Sequence, residues 1–233
     1  MKMGYDWLNI IQDWLYPPTC LLCGAGGPPG RDLCASCAEA LPWIDSACGS
    51  CGRALPAPAD APCGSCQVEP PPFDACHAAF RYEEPIRHLI RGIKYGRRHA
   101  AGRLLGQLVA HRLGNLVPPP EMILPVPLHR SRHRERGFNQ SVEIARHLSR
   151  SFRIPLDLHA VIRHRPTLPQ VRLTADQRTK NVRGAFSLRQ PITARHVAIF
   201  DDVVTTGATA GAIAELLRRE GVERIEVWAV ARA

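Results

Sequence analysis

Ile199-Phe200-Asp201-Asp202-Val203-Val204-Thr205-Thr206-Gly207-Ala208-Thr209 joins two chemistries within one short loop. Val197–Phe200 is a continuous apolar run, the pattern of a central parallel strand buried on both faces. Asp201 and Asp202 stand at its carboxyl end, where ligands of open α/β sheets bind. A helix is expected to open at about Gly207. Its first N–H groups and the positive end of its dipole suit a phosphate. Thr205, Thr206 and Thr209 add hydroxyl donors, and Gly207 lets backbone approach an anion closely. The two carboxylates can accept hydrogen bonds from a vicinal diol such as that of ribose. A bare D-D or T-T-G would need nothing beyond a capped strand-turn-helix, but the whole string in this context predicts a phosphorylated-ribose site. No G-x-x-x-x-G-K-[ST] or G-x-G-x-x-G occurs, which excludes the usual nucleoside-triphosphate and dinucleotide loops.

Working outward, strands are expected over 75–82, 122–126, 160–163, 185–188, 197–200 and 225–231. Helices are expected over 84–95, 100–113, 140–150 and 208–220. Strands alternating with helices predict a parallel sheet with helical crossovers. Between strand 122–126 and helix 140–150 runs a basic loop with Arg130, Arg132, Arg134 and Arg136. Four close cations imply an anion nearby, or else a solvated basic or nucleic-acid-binding patch. Residues 164–183 are polar, basic and unpatterned, which predicts a long loop of the functional or disordered kind.

Composition changes abruptly before Phe73. Residues 17–69 are rich in Cys, Pro and Gly, cannot bury a core, and must be held by something else. Eight of the nine cysteines lie here as C-x-x-C pairs: Cys20/Cys23, Cys34/Cys37, Cys48/Cys51 and Cys63/Cys66. With no cleavable signal in residues 1–16 and no apolar run of membrane length, a cytoplasmic setting is expected. Paired thiols then point to metal rather than disulfides. Four pairs make two closed zinc sites of four thiolates each. Gly after Cys23 and Cys51 favours sequential pairing, with an interleaved arrangement still open, and a redox role for one pair is the lesser alternative. Cys76 reads as a core residue. The domain reading is therefore an amphipathic helix over 1–16, a double zinc ribbon over 17–69, a Pro70-Pro71-Pro72 linker over 70–72, and an α/β domain over 73–233. The net charge of +9 favours an anionic partner without choosing between phosphorylated small molecules and nucleic acid. The ribbon tips offer little for nucleic acid beyond Arg31 and Arg53.

I-F-D-D-V-V-T-T-G-A-T resembles the phosphoribosyl-pyrophosphate (PRPP) motif of type I phosphoribosyltransferases. R-E-R-G-F-N-Q over 134–140 resembles the pyrophosphate loop of that superfamily, with Arg136-Gly137 at its tip. The order of these motifs with L-I-R-G-I-K-Y-G, P-V-P-L-H, N-V-R-G-A-F and the Cys pairs resembles the ComF family of competence-associated proteins over nearly all of 14–233. The resemblance implies a type I phosphoribosyltransferase fold behind a zinc-ribbon module. Asp201 and Asp202 would hold the ribose hydroxyls, and Thr205, Thr206, Gly207, Ala208 and Thr209 would cradle the 5-phosphate. Arg136, Gly137 and Lys94 would meet pyrophosphate. Residues 164–184 would be a flexible lid in which Gln170, Arg178 and Asn181 match the superfamily's loop. It further implies Mg²⁺ with PRPP as substrate, ribosyl transfer with pyrophosphate release, and Asp201, Asp202 and Arg136 as the catalytic groups. The family's link to DNA uptake implies single-stranded DNA and a competence helicase as partners, and leaves open a non-catalytic PRPP sensor or DNA-binding accessory role.

Overall fold

The computed structural model describes residues 18–96, 99–114, 118–166, 182 and 184–233, without the side chains of 94–96. The expected helix over 1–16 lies outside these residues, as do Gln170, Arg178 and Asn181 of the expected lid. By contacts the chain divides into two units, Met1–Leu41 and Pro42–Ala233. The two groups of four cysteines therefore fall in different units.

In the smaller unit, Thr19 bridges Gly26 in antiparallel fashion. Cys20 N–H donates to Ala25 O at 2.7 Å and Gly24 N–H to Cys20 O at 2.9 Å, closing a tight knuckle. A short helix, α1 (Ala35–Glu39), follows Cys34.

The larger unit repeats that pattern before its sheet begins. Ala47 bridges Ala54, Cys48 N–H donates to Arg53 O at 2.9 Å, and Gly52 N–H donates to Cys48 O at 2.8 Å. Helix α2 (Gly64–Val68) follows Cys63. The remaining elements are β1 (Ala75–Arg81), α3 (Ile86–Gly96), α4 (His99–Leu113), β2 (Met122–Pro125), α5 (Arg130–Arg136), α6 (Gln140–Phe152), β3 (Val161–Arg163), β4 (Phe186–Leu188), β5 (His196–Val204), α7 (Ala208–Arg219) and β6 (Arg224–Arg232).

The main sheet has the order β1-β6-β5-β2, and every pair in it is parallel. Its centre is apolar for the reason the sequence suggested. Val197 to Phe200 and Val227 to Ala231 are all buried, with Phe200 opposite Trp228 in register. Burying a large apolar side chain contributes roughly 1.5–3 kcal/mol, so this strand pair anchors the domain. Helix α7 lays Ala210, Ile213, Ala214 and Leu217 into the core. Helices α4 and α6 approach so closely that a Cβ on Gly106 would lie 2.6 Å from His147 Cβ.

Three expectations are corrected. First, β5 continues through Asp201 and Asp202 to Val204, because β6 keeps pairing with it as far as Val204↔Arg232. The acids thus lie within a strand, not beyond one. Second, the basic segment is not all loop, since Arg130–Arg136 is a helix. His129 caps it by accepting from Ser131 N–H, and Gly137 at φ 78° ends it. Third, β3 and β4 form a separate antiparallel pair, so not every strand joins the parallel sheet.

The outer edge of β1 is covered. Ile44 N–H donates to Ala79 O, Arg81 N–H to Pro42 O, and Cys76 N–H to Gly49 O. Residues 42–49 therefore run along β1 and satisfy an edge that would otherwise be open to pairing. Trp43 adds a ring contact to Phe80, centroid to centroid 4.3 Å.

Candidate functional site

The site is assembled at the carboxyl ends of β5 and β2. Asp201 and Asp202 are half-buried on β5. Asp201 Oδ1 accepts from Ser141 Oγ at 3.3 Å and from Asp202 N–H at 2.9 Å, while Asp202 Oδ1 accepts from Val203 N–H at 2.9 Å. Gly207, at φ 81°, caps α7 and stands over Phe73, whose ring would lie 3.5 Å from a Cβ placed there. Thr206 Oγ1 accepts from Ala208 N–H at 3.3 Å. Asp201, Val203 to Thr205 and Gly207 to Ala210 line one small cleft. Carboxylates and the N-terminal turn of a helix are thus joined by one loop, as the sequence predicted.

Asn139 positions the adjoining wall. It is buried, its amide donates to Val126 O at 3.0 Å, and its carbonyl oxygen accepts from Ser141 N–H at 3.0 Å. In this way the cap of α6 fastens the end of β2 and presents Ser141 to Asp201. Gly137 and Asn139 line a larger cavity of about 670 Å³, shared with His129, Arg130, Arg146 and Arg163. Arg136 lies in the last turn of α5. Lys94 lies in α3, but its side chain is outside the described residues.

Two residues of this site were missed by sequence reasoning. Ser141 looked like an ordinary first-turn residue, and only its place beside the N-cap could have singled it out. Arg163 stands 5.3 Å from the Phe186 ring centroid. Burial lowers its pKa from the ordinary value, as does Arg132, while Asp201 opposes the change. Arg163 lines the larger cavity and interacts electrostatically with Asp201, and no local motif marks it.

The cysteines gather as two sets. Cys20, Cys23, Cys34 and Cys37 bring their sulfurs within 4.8 Å of one another, and so do Cys48, Cys51, Cys63 and Cys66. This is the sequential arrangement. Zinc–sulfur bonds of about 2.3 Å in a tetrahedron place sulfurs about 3.8 Å apart. Cys23 and Cys34 Sγ are 3.7 Å apart, as are Cys51 and Cys63 Sγ, so the donor sets fit zinc. The first thiol of each set is prepared as a thiolate. Burial pushes Cys20 up, but the N–H groups of Cys34, Cys23 and Leu22 bring it down to about 6. Burial likewise opposes ionisation of Cys48, yet the N–H groups of Cys63, Cys51 and Ser50 bring it to about 6. Cys76 stays outside both sets, and burial raises its thiol to about 12.

Comparison with known proteins finds two families along the chain. The double zinc ribbon domain family matches residues 11–67, and the phosphoribosyl transferase domain family matches residues 139–233. The DNA utilization protein YhgH of Escherichia coli (strain K12) is 39% identical over 222 residues, spanning 93% of this chain and 97% of that protein. Competence protein F of Haemophilus influenzae is 38% identical over 180 residues, spanning 73% of this chain and 78% of that protein. Among solved structures, the purine phosphoribosyltransferase of Pyrococcus horikoshii is 19% identical, with a TM-score of 0.33 over 55% of this chain and 80% of that one. With two zinc-ribbon groups ahead of a phosphoribosyltransferase-type sheet, and with relatives of this identity along most of its length, the chain belongs to the ComF family of competence-associated proteins.

Proposed function

We propose that the chain binds PRPP with Mg²⁺ in the cleft between Asp201 and α7 and transfers its ribosyl group with release of pyrophosphate, in a setting of DNA uptake. The observation that carries this reading is the single loop that joins the two β5 acids to the N-terminal turn of α7, with Asp201 lining the cleft between them. Asp201 and Asp202 hold the ribose hydroxyls. Thr205, Thr206 and Thr209 give hydroxyl and backbone donors to the 5-phosphate, and Gly207 and Ala208 give backbone N–H groups. As positive charge grows on the ribose ring, the same carboxylates stabilise it, and Arg136 with Lys94 meets the negative charge of the departing pyrophosphate. Mg²⁺, held largely by the substrate's own oxygens and water, would neutralise pyrophosphate charge. The eight paired cysteines hold two structural zinc ions. The DNA setting is supported by the names of the relatives, DNA utilization protein and competence protein.

A second reading is supported by the larger cavity. Its lining carries Arg130, Arg146 and Arg163 against one carboxylate, Glu143, which makes it cationic. That suits a non-catalytic PRPP sensor or a single-stranded-DNA-binding accessory that works with a competence helicase. Calorimetry with PRPP and Mg²⁺ separates the readings. Lost charge-assisted bonds are worth about 1.5–3 kcal/mol each, so Asp201→Ala/Asp202→Ala should weaken PRPP binding roughly 100-fold or more. If the unaltered chain fails to bind PRPP, while both forms bind single-stranded DNA equally, the transferase reading is lost.

A further inference from the structure

Arg232, near the end of β6, is a buried cation whose hydrogen bonds all go to main-chain oxygens among the described residues. Its Nε donates to Cys51 O at 2.8 Å. Its Nη1 donates to Val204 O at 3.3 Å, and also to Thr205 O and Ala233 O. One guanidinium therefore joins a residue of the second cysteine group to the start of the phosphate loop.

The peptide plane makes these bonds directional. In a trans peptide the C=O and the following N–H point opposite ways. Drawing Thr205 O toward Arg232 turns the N–H of Thr206 away from it. At the other end, drawing Cys51 O toward Arg232 fixes the peptide whose N–H, on Gly52, donates to Cys48 O. Arg232 thus holds two loop conformations at once, and neither loop can reorient its peptide without breaking a bond that also supports the other. Electrostatics act in the same direction. Four thiolates around zinc leave a double negative charge, and Arg232 is the charge that lowers the nearby Cys76 thiol against burial. A rigid planar donor fork suits this task, whereas a lysine point charge does not.

We propose that Arg232 is a positioning residue that couples metal occupancy of the Cys48/Cys51/Cys63/Cys66 group to anion binding by the Thr205–Thr209 loop, each strengthening the other. The inference rests on the reading of that loop as a phosphate site, but not on ribosyl transfer. Coupling between two sites is reciprocal in binding free energy, so it can be measured from either end.

The test uses the full chain carrying Cys20→Ser/Cys23→Ser, which leaves the second group as the zinc site to be titrated. Zinc affinity is measured by competition with a chelating dye, with and without saturating ribose 5-phosphate, and ribose 5-phosphate affinity by calorimetry. Ribose 5-phosphate is expected to raise zinc affinity about 5- to 50-fold, a common size for coupling between sites. Arg232→Met should bring that factor to one while still binding both ligands, and Arg232→Lys should restore only part of it. A factor of one in the unsubstituted-Arg232 protein, or an unchanged factor in Arg232→Met, overturns the coupling and leaves the phosphate reading standing. Failure of ribose 5-phosphate to bind at all overturns both. Should Arg232→Met not fold, hydrogen exchange over 203–209 in the native chain decides the matter. Zinc removal must speed exchange there, and unchanged exchange refutes the proposal.

Discussion

The two four-cysteine groups have the same knuckle and different surroundings. In each, the first cysteine's N–H closes onto a carbonyl five residues on, and a glycine four residues on donates back to it. In each, the first thiol is brought to about 6 by three backbone N–H groups. The first group belongs to the small unit, where Cys23 is exposed and Cys20 alone is buried. The second buries Cys48 and Cys66. It is also tied to the sheet through Gly49 O from Cys76 N–H and through Cys51 O from Arg232. One metal motif thus serves two ends. In the first group zinc replaces a core that so short a segment cannot build. The second group, by contrast, sits beside residues that cover the edge of β1 and accepts a hydrogen bond from Arg232 of β6.

The largest effect should come from removing one ligand from each group in turn. Structural zinc contributes folding free energy directly. Cys66→Ser should therefore lower the main calorimetric transition of the full chain by about 10 °C, the shift that a few kcal/mol gives in a domain of this size. Cys23→Ser should lower that transition by no more than about 2 °C. Equal shifts would show that anchoring to the sheet does not distinguish the groups.

The knuckle glycines sharpen the comparison further. Gly24 and Gly52 have φ of 77° and 70°, a conformation that costs an L-residue roughly 1–2 kcal/mol. A Cβ on Gly24 would meet nothing within 4 Å, whereas one on Gly52 would lie 2.8 Å from Cys76 Sγ and 3.0 Å from Cys76 O. Gly24→Ala should cost about 1 kcal/mol. Gly52→Ala should cost about 3 kcal/mol, because backbone must shift as well. Denaturant titration followed by tryptophan fluorescence measures both. Cys76→Ala should rescue Gly52→Ala only in part, since the carbonyl contact remains.

Much of this was legible in the chain because it is local. The apolar run 197–200, the acids after it and the Thr-Gly loop place strand, cleft and helix start within a few residues of one another. The C-x-x-C pairs and their following glycines likewise announce the knuckles and favoured the sequential grouping. What escaped is long-range. Asp201 meets Ser141 across 60 positions, and Arg232 meets Cys51 across 181. Such partners depend on strand order, which no periodicity encodes. The extension of β5 through the two acids also depends on β6 pairing alongside. The α5 helix was hidden for a different reason. Its residues Arg130–Arg136 include no apolar stripe, and its cap is a histidine, so neither amphipathicity nor a common capping residue reported it.

The smallest effect concerns acid. Thiolates of both groups lose zinc as they protonate, so both units should weaken at low pH. The larger unit has a further acid-sensitive group beside its anchor, His77, next to Cys76 on β1. Burial lowers its pKa; Glu226 of β6, at 3.8 Å, opposes this, and Arg224 of β6 and Arg112 of α4 add to the lowering. Glu226 is already engaged by Trp228 Nε1 at 3.0 Å, by Arg224 at 2.8 Å and by His196 at 3.2 Å, which leaves His77 a shared counter-charge. The sign follows from linkage. With its folded pKa below its unfolded one, His77 takes up a proton more readily in the unfolded chain. Stability is therefore complete above the unfolded value of about 6.5 and falls as pH drops from there through the folded value. His77→Gln should flatten that part of the pH dependence, read by denaturant unfolding between pH 7.5 and 5.5 (buffer values of about this range bracket an ordinary histidine). Zinc content followed in parallel separates the thiolate contribution. If the slope is unchanged while zinc stays bound, the acid sensitivity of the larger unit belongs to its metal group alone, and the two groups differ less than their surroundings imply.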